Sequence, residues 1–260
     1  MYDGPSTTSS YSRFWIAWRD RIRARGIEAP DELNRLTESE SVWTSPDLFM
    51  SQTCGYPYSK SLRGKVRLVA TPHYTADGCE GPNYSSWLIT HTETPARSVD
   101  QLRGARAAIN GPNSQSGYNS FRAIIAPLAE GCSFFSEVKI SGSHRASMQL
   151  IADGEADCAT VDAVSWAIVS REDPALGRSL KQLTATQSLP GLPFITSADR
   201  SDEDLITFRQ TLFEVLADPL LDETLNDLLM SGASVLADAN YSVCLDMEAD
   251  AMSAGYPKLA

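Results

Sequence analysis

The strongest constraint on this chain is a strict alternation of short apolar runs and helical periods between residues 105 and 170. Ala105–Ile109 reads as a strand and is followed by the turn Asn110–Gln115. A helix then runs from about Ser116 with Tyr118, Phe121, Ile125 and Leu128 on its inner side, and Pro127 limits its end. Phe134–Ile140 is a second strand, leading through Ser141-Gly-Ser-His144 into a helix that Gly154 closes. Cys158–Val161 is a third strand before a helix from Asp162 to about Ser170. This β–α–β–α–β–α order demands a parallel sheet covered by helices, because parallel neighbours need crossover connections.

The flanks are incomplete by the same standard. Tyr11, Trp15, Trp18 and Ile22 recur at helical spacing with arginines between them, and Gly26 stops the helix; Pro30 and Asp31 open a short second one. Asp47–Gln52, Val66–Ala70 and Ser85–Ile89 follow as strand-like runs, with turn-rich loops at 53–58 and 71–81. Beyond the middle segment, Leu180–Ala185 and Pro193–Thr196 read as strands. Asp202–Ala217, Pro219–Met230 and Asn240–Ala254 read as helices. A front without closing helices and an end without a sheet complete each other. The expected architecture is therefore α/β and two-lobed, with residues 1–92 and 186–260 forming one lobe and 93–185 an inserted second. Segments near 86–92 and 182–188 are the expected crossings.

Charge narrows the function. The chain holds 33 acidic and 22 basic residues, a net charge of −11, and Asp199–Ala260 alone carries 13 acidic against 3 basic. Nucleic acid is excluded as a partner, since that role needs clustered Lys and Arg. Arg13, Arg19, Arg21, Arg23 and Arg25 read as the wet side of the first helix. No run reaches the roughly 20 apolar residues of a membrane helix. Met1–Ser12 has no signal-peptide pattern, which leaves a removed leader, an omitted one or a cytoplasmic chain as alternatives. Cysteines 54, 79, 132, 158 and 244 form no CxxC pair, and His73, His91 and His144 are not at metal-ligand spacing. No metal or cofactor is expected. Cys54 and Cys79, each in a turn, are expected to pair as a disulfide if the protein is exported. No nucleophile elbow, P-loop or HExxH is present, so an enzyme is not expected.

Ligands of open α/β sheets sit beyond the carboxyl ends of the strands. In the middle lobe those ends carry Asn113-Ser-Gln-Ser-Gly-Tyr118, Ser141-Gly-Ser-His144 and Thr160-Val-Asp162. The first two bring serines to helix N-termini, where free N–H groups and the helix dipole favour an anion. Ser114, Ser116 and Ser143 add hydroxyl donors; the plain reading is that such serines are N-caps and nothing more. Two such turns at one cleft point to binding, with Gln115 and the N–H groups of Gly117 and Tyr118 completing the cradle and His144 adding a further donor. Asp162 is either the cap of its helix or a contact to a protonated oxygen or amine of the ligand. From across the cleft, Gln52 and Tyr56 in Ser51-Gln-Thr-Cys-Gly-Tyr56, Tyr84 and, at the chain start, Tyr2 are suited to close over it.

Several of these segments resemble one family. Asp47-Leu-Phe-Met-Ser-Gln-Thr-Cys-Gly-Tyr-Pro-Tyr58, Gly78-Cys-Glu-Gly81, Ala107-Ala-Ile-Asn-Gly-Pro-Asn-Ser-Gln-Ser-Gly-Tyr118 and Phe135-Ser-Glu-Val-Lys-Ile-Ser-Gly-Ser-His-Arg-Ala-Ser147 are similar to the phosphate/phosphite/phosphonate ABC-transporter substrate-binding proteins. Ala156-Asp-Cys-Ala-Thr-Val-Asp162 and Leu189-Pro-Gly-Leu-Pro-Phe194 fit the same pattern. The resemblance implies the type II periplasmic-binding-protein fold with two crossing strands. It further implies a periplasmic, monomeric binding protein that hands a small phosphonate, phosphite or phosphate oxyanion to an ABC-transporter permease. The family's Ser-Thr-Ser-like turn falls on Ser114, Gln115 and Ser116, with Gln115 replacing a small hydroxyl residue, and its Ser-Gly-Ser-His histidine falls on His144. The chain starts at Met1-Tyr-Asp3, short of the apolar residues that open the family's first strand. Alternatives on the same fold are a cytoplasmic ligand sensor and a pyrimidine-synthase-like enzyme; the latter needs a His- and Cys-rich iron site.

Overall fold

The computed structural model describes residues 1–37 and 39–260, and only the backbone of Ser39. It divides into two compact α/β units: Met1–Thr75, Glu80–Asn83 and Pro190–Asn240 in the first, and Ala76–Cys79, Tyr84–Leu189 and Tyr241–Ala260 in the second.

The first unit is built on an antiparallel sheet in the order Ser51–Gln52, Phe194–Ser197, Val66–Tyr74, Met230–Ser234. The helix Thr8–Arg23 forms where predicted and buries Phe14, Trp15, Trp18 and Ile22. Its partner is Asp202–Leu216, whose Phe208 carbonyl and Thr211 hydroxyl accept from the Trp18 indole at 3.2 and 3.0 Å. The arginine face is less solvated than the sequence suggests. Arg13, Arg21 and Arg25 meet Asp227, Asp218 and Glu214, so basic helix and acidic C-terminal helices are complementary. Such part-exposed pairs contribute only about 0–1 kcal/mol each.

Local sequence misleads in four places here. No helix opens at Pro30; the next is Ser39–Trp43. The strand predicted over 47–52 shrinks to its last two residues, and Val66–Tyr74 runs on through the predicted loop. The helix predicted to reach Met230 ends at Asp227, with Leu229 left-handed at φ 57°, and Met230–Ser234 becomes a strand against Thr71–Tyr74.

The second unit holds a five-stranded sheet in the order Glu137–Ile140, Arg106–Ile109, Cys158–Asp162, Ser86–His91, Leu180–Ala185. The first three strands are parallel, as their alternation with helices requires, and the last two are antiparallel additions. Period-two alternation sends Ala107 and Ile109 to one face and Ala108 to the other. The first face is covered by Phe121, Ile125, Phe134, Phe135, Tyr256 and Leu259, the second by Met148, Ile151, Val169 and Leu176.

Residues 241–260 correct the expected partition, which assigned 186–260 to the lobe of the chain ends. The helix Val243–Ser253 sits in the second unit, where the Cys244 carbonyl accepts from Asn119 at 2.8 Å and the C-terminal Ala260 carbonyl accepts from the Phe134 N–H at 2.7 Å. Helical periodicity shows that this segment has an apolar face but not which sheet that face covers. Both strands expected as crossings, Ser86–His91 and Leu180–Ala185, pair inside this unit.

Among the described residues no helix is long and apolar enough to cross a membrane.

Candidate functional site: a hydroxyl and imidazole cradle

Because Arg106–Ile109, Glu137–Ile140 and Cys158–Asp162 are parallel, their carboxyl ends lie on one edge of the sheet. Three predicted turns are thereby brought together. The first begins as a π-helical turn, Gln115–Asn119, that continues into the helix Ser120–Ala129. Ser114 is its extended N-cap, and its Oγ accepts from the Gly117 N–H at 3.0 Å. Ser143 caps His144–Ala152 in the same way, accepting from Ala146 N–H at 3.1 Å, and Asp162 caps Ala163–Glu172 through Ser165 N–H at 2.8 Å. All three capping roles foreseen for these residues are therefore filled. A serine cap spends only an oxygen lone pair, so the hydroxyl protons of Ser114 and Ser143 are still available for donation.

Two of these turns supply side chains that meet at His144. Ser116 Oγ lies 2.9 Å from its Nε2, and Asp162 Oδ2 lies 3.1 Å from the same nitrogen. In a nucleophilic triad the hydroxyl and the carboxylate occupy opposite ring nitrogens, so that one takes a proton while the other orients the ring. Here both share one, and the set is a bracket for the imidazole rather than a relay. The distances suit a neutral ring protonated at Nε2: that N–H donates to the Asp162 carboxylate and leaves the Ser116 hydroxyl proton free to point elsewhere. Thr160 Oγ fastens the Ser116 carbonyl at 2.8 Å. Arg145, next to His144 in sequence, is turned to Glu172 and Asp173 at 3.4 and 3.3 Å. Nδ1 of His144 and Oδ1 of Asn110 are buried without a partner among the described residues.

Two cradle assignments are corrected. The Gly117 N–H cannot be offered to a ligand, because it is spent on Ser114; the Tyr118 N–H stays in the first helical turn, where no preceding helical carbonyl reaches it. The Gln115 side chain is fully buried, donating to Ser120 Oγ at 3.0 Å and reaching Met247 Sδ at 3.5 Å, while its carbonyl accepts from Asn119 at 3.0 Å. It braces the turn from behind. The Tyr118 ring is half-buried beneath the Arg122 guanidinium, 5.3 Å from its centroid. Tyr84 is buried in the same unit.

Gln52, Tyr56 and Tyr2 belong to the first unit. Gln52 donates to the Tyr74 hydroxyl and the Leu192 carbonyl, both at 3.0 Å, and Tyr2 packs edge-on to Tyr74. Tyr56 Oη accepts from Lys60 at 2.7 Å. Asn110 escaped the sequence reading, although the strand-end rule that found its neighbours applies to it, as the first residue after Ile109.

Cys54 and Cys79 are not joined by the disulfide expected of an exported chain. Cys54 is buried at the start of Gly55–Pro57, and burial together with Asp162 and Asp77 pushes the Cys79 thiol up to about 12, so it has almost no thiolate to react. Among the described residues no group of His, Cys, Asp and Glu is placed to hold a metal ion.

Burial holds the His144 imidazole below its ordinary value, against the opposing pull of Asp162 and of the Thr160 backbone. The unfolded chain thus takes up this proton at a higher pH than the folded one. Stability must then rise with pH through the window below about 6.5, and the effect is gone above it. Urea midpoints should fall more steeply for the natural chain than for His144→Gln as pH drops from about 6.5 to about 5. Parallel pH profiles would refute the buried neutral histidine. Asp157, held low by its hydrogen bonds to Arg106, loses stability in the same direction only at more acid pH.

Comparison with known proteins bears on the fold and the family. No curated protein matches the sequence. Solved structures do at the level of fold. A binding-protein component of an ABC phosphonate transporter from Pseudomonas aeruginosa superposes with a TM-score of 0.75 at 18% identity, over 93% of this chain and 82% of that one. PhnD1 from Prochlorococcus marinus, in complex with methylphosphonate, gives 0.72 at 13% identity over 94% and 91%. XAC2383 from Xanthomonas citri, bound to chloride, gives 0.72 at 14% over 96% and 95%. Residues 47–241 match the family described as ABC transporter, phosphonate, periplasmic substrate-binding protein. The chain belongs to this family of substrate-binding proteins of ABC transport, and not to an enzyme family.

Proposed function

We propose that this chain captures a small phosphonate- or phosphate-like oxyanion on the second unit and delivers it to an ABC-transporter permease, acting in the periplasm as a monomer. The observation that carries this reading is the Ser116–His144 contact, which joins two serine-capped helix starts, those of Ser114 and Ser143, at the carboxyl ends of the parallel strands. A phosphoryl group has several acceptor oxygens, and hydroxyl or N–H donors to a charged oxygen form the strong class of hydrogen bond. Donors of this kind also let a chain of net charge −11 hold an anion without a lysine cluster. Asp162 suits a ligand that brings its own proton donor, either a protonated phosphoryl oxygen or an amine.

Isothermal titration with methylphosphonate, phosphite and phosphate tests the reading. At least one of them should bind. Ser116→Ala should then weaken it roughly 10- to 150-fold, the cost of about 1.5–3 kcal/mol for one donor to a charged group. If none of the three binds, the oxyanion assignment fails; if the substitution leaves affinity unchanged, the cradle is elsewhere.

A further inference from the structure

His144 is held by one ring nitrogen and open at the other. Nε2 lies between Ser116 Oγ and Asp162 Oδ2, at 2.9 and 3.1 Å. Nδ1 is buried and has no partner among the described residues, although the side chain is only 12% exposed. Beside it is a second unsatisfied group. The Asn110 Oδ1 acceptor lies so close to Gly117 that a Cβ there would sit 1.9 Å away, and the same Cβ would be 3.2 Å from His144 Cε1. Two buried acceptors, a ring lone pair and an amide carbonyl, therefore border one glycine with no donor between them. Buried polar groups are rarely left this way, because each forfeits its hydration without a hydrogen bond in exchange.

We propose that anion capture is coupled to protonation of His144 at Nδ1. The proposal rests on the oxyanion reading of the cradle and adds to it a proton taken from solvent. The ring keeps its Nε2–H to Asp162, gains Nδ1–H, and becomes an imidazolium between a fixed carboxylate and the arriving anion. No bond other than N–H forms, and nothing is oxidised. In the free protein the positive charge is disfavoured by burial, with Asp162 as its one close counter-charge among the described residues. A second negative charge tips that balance, and Nδ1–H becomes a charge-assisted donor.

The groups facing His144 are few. Asp162 comes from the end of Cys158–Asp162 and Ser116 from the Gln115–Asn119 turn. Thr160 contributes only its backbone. Cys79 is felt through Asp162 but stays a thiol, its titration near 12. Arg145, on the histidine's own helix, is engaged by Glu172 and Asp173. Among these groups, Nδ1 of His144 is the one that takes the proton.

The probe is methylphosphonate at about pH 8, titrated calorimetrically into the full chain in buffers of different ionisation enthalpy. The natural chain should take up about one proton more per anion bound than His144→Gln does, as linkage requires when a group titrates on binding. Nitrogen NMR of histidine-labelled protein reads the atom itself without a substitution: one Nδ1 should change from lone-pair to protonated character on saturation. Equal proton uptake in both chains overturns the coupling while leaving the oxyanion reading intact. A difference in uptake with Nδ1 still unprotonated overturns it too, and assigns the proton to the ligand. Failure of methylphosphonate, phosphite and phosphate alike to bind the natural chain removes the oxyanion reading and this inference with it.

Discussion

Replacing Arg122 with methionine is expected to cost about 3 kcal/mol of stability, concentrated in the second unit. The guanidinium is 2% exposed. It donates to the Pro257 carbonyl at 2.7 Å and to Asn119 Oδ1 at 2.8 Å, with the Glu248 carboxylate at 3.9 Å. Methionine keeps the apolar stem but strands both acceptors in the interior. Each stranded group costs about 1–3 kcal/mol, and the part-exposed Glu248 moderates the loss of the ion pair. The network runs on into the site: Asn119 also donates to Gln115 and to the Cys244 carbonyl, so Arg122 joins the cradle turn to the last helix. Hydrogen exchange should report deprotection of Ser120–Ala129 and Val243–Ser253 with Thr8–Arg23 unaffected. A variant whose urea midpoint matches the natural chain would show that the buried guanidinium holds nothing together.

That network also marks the limit of what sequence discloses. The parallel core was legible because Ala105–Ile109 and Cys158–Val161 are too short and apolar for helices and are separated by helical periods. The serines were legible because a cap has a local pattern of residue and position. The use made of Gln115 was not, since its partner Met247 lies 132 positions away and nothing near Gln115 announces it. Gly117 looked like an N–H donor to a ligand for a different reason: the cap rule gives its hydrogen to Ser114 three residues earlier, and that local claim comes before any ligand's. Met230–Ser234 reads poorly as a strand, with no β-branched residue in Met-Ser-Gly-Ala-Ser; pairing with Thr71–Tyr74 makes it one. The arginines of the first helix, spaced like a solvated face, find carboxylates supplied by residues some 190 to 215 positions later. Periodicity shows which side of an element is apolar. It does not show what meets that side.

Gly117→Ala should be the most damaging single-methyl change in the cradle, abolishing measurable methylphosphonate binding while leaving a folded chain. Its cause is space rather than backbone angle, because Gly117 is not among the glycines at positive φ. An added Cβ would lie 1.9 Å from Asn110 Oδ1 and 2.7 Å from its Cγ, well inside contact distance, and 3.2 Å from His144 Cε1. Either Asn110 leaves its place at the strand end or the turn carrying Ser114 and Ser116 moves outward. Overpacking of this kind typically costs about 1–3 kcal/mol. The binding loss is larger because the displaced turn holds Ser116 against the imidazole at 2.9 Å, a contact with little tolerance for movement. Removing the obstruction separates the two effects. In Asn110→Ala/Gly117→Ala the clashing carboxamide is gone, so stability should recover most of the loss and binding should return to within about tenfold of Asn110→Ala alone, a coupling of the size expected for touching residues. If the double variant binds no better than Gly117→Ala, the glycine serves the site by some means other than making room for Asn110, and the close approach seen in the structure does not set the cradle's geometry.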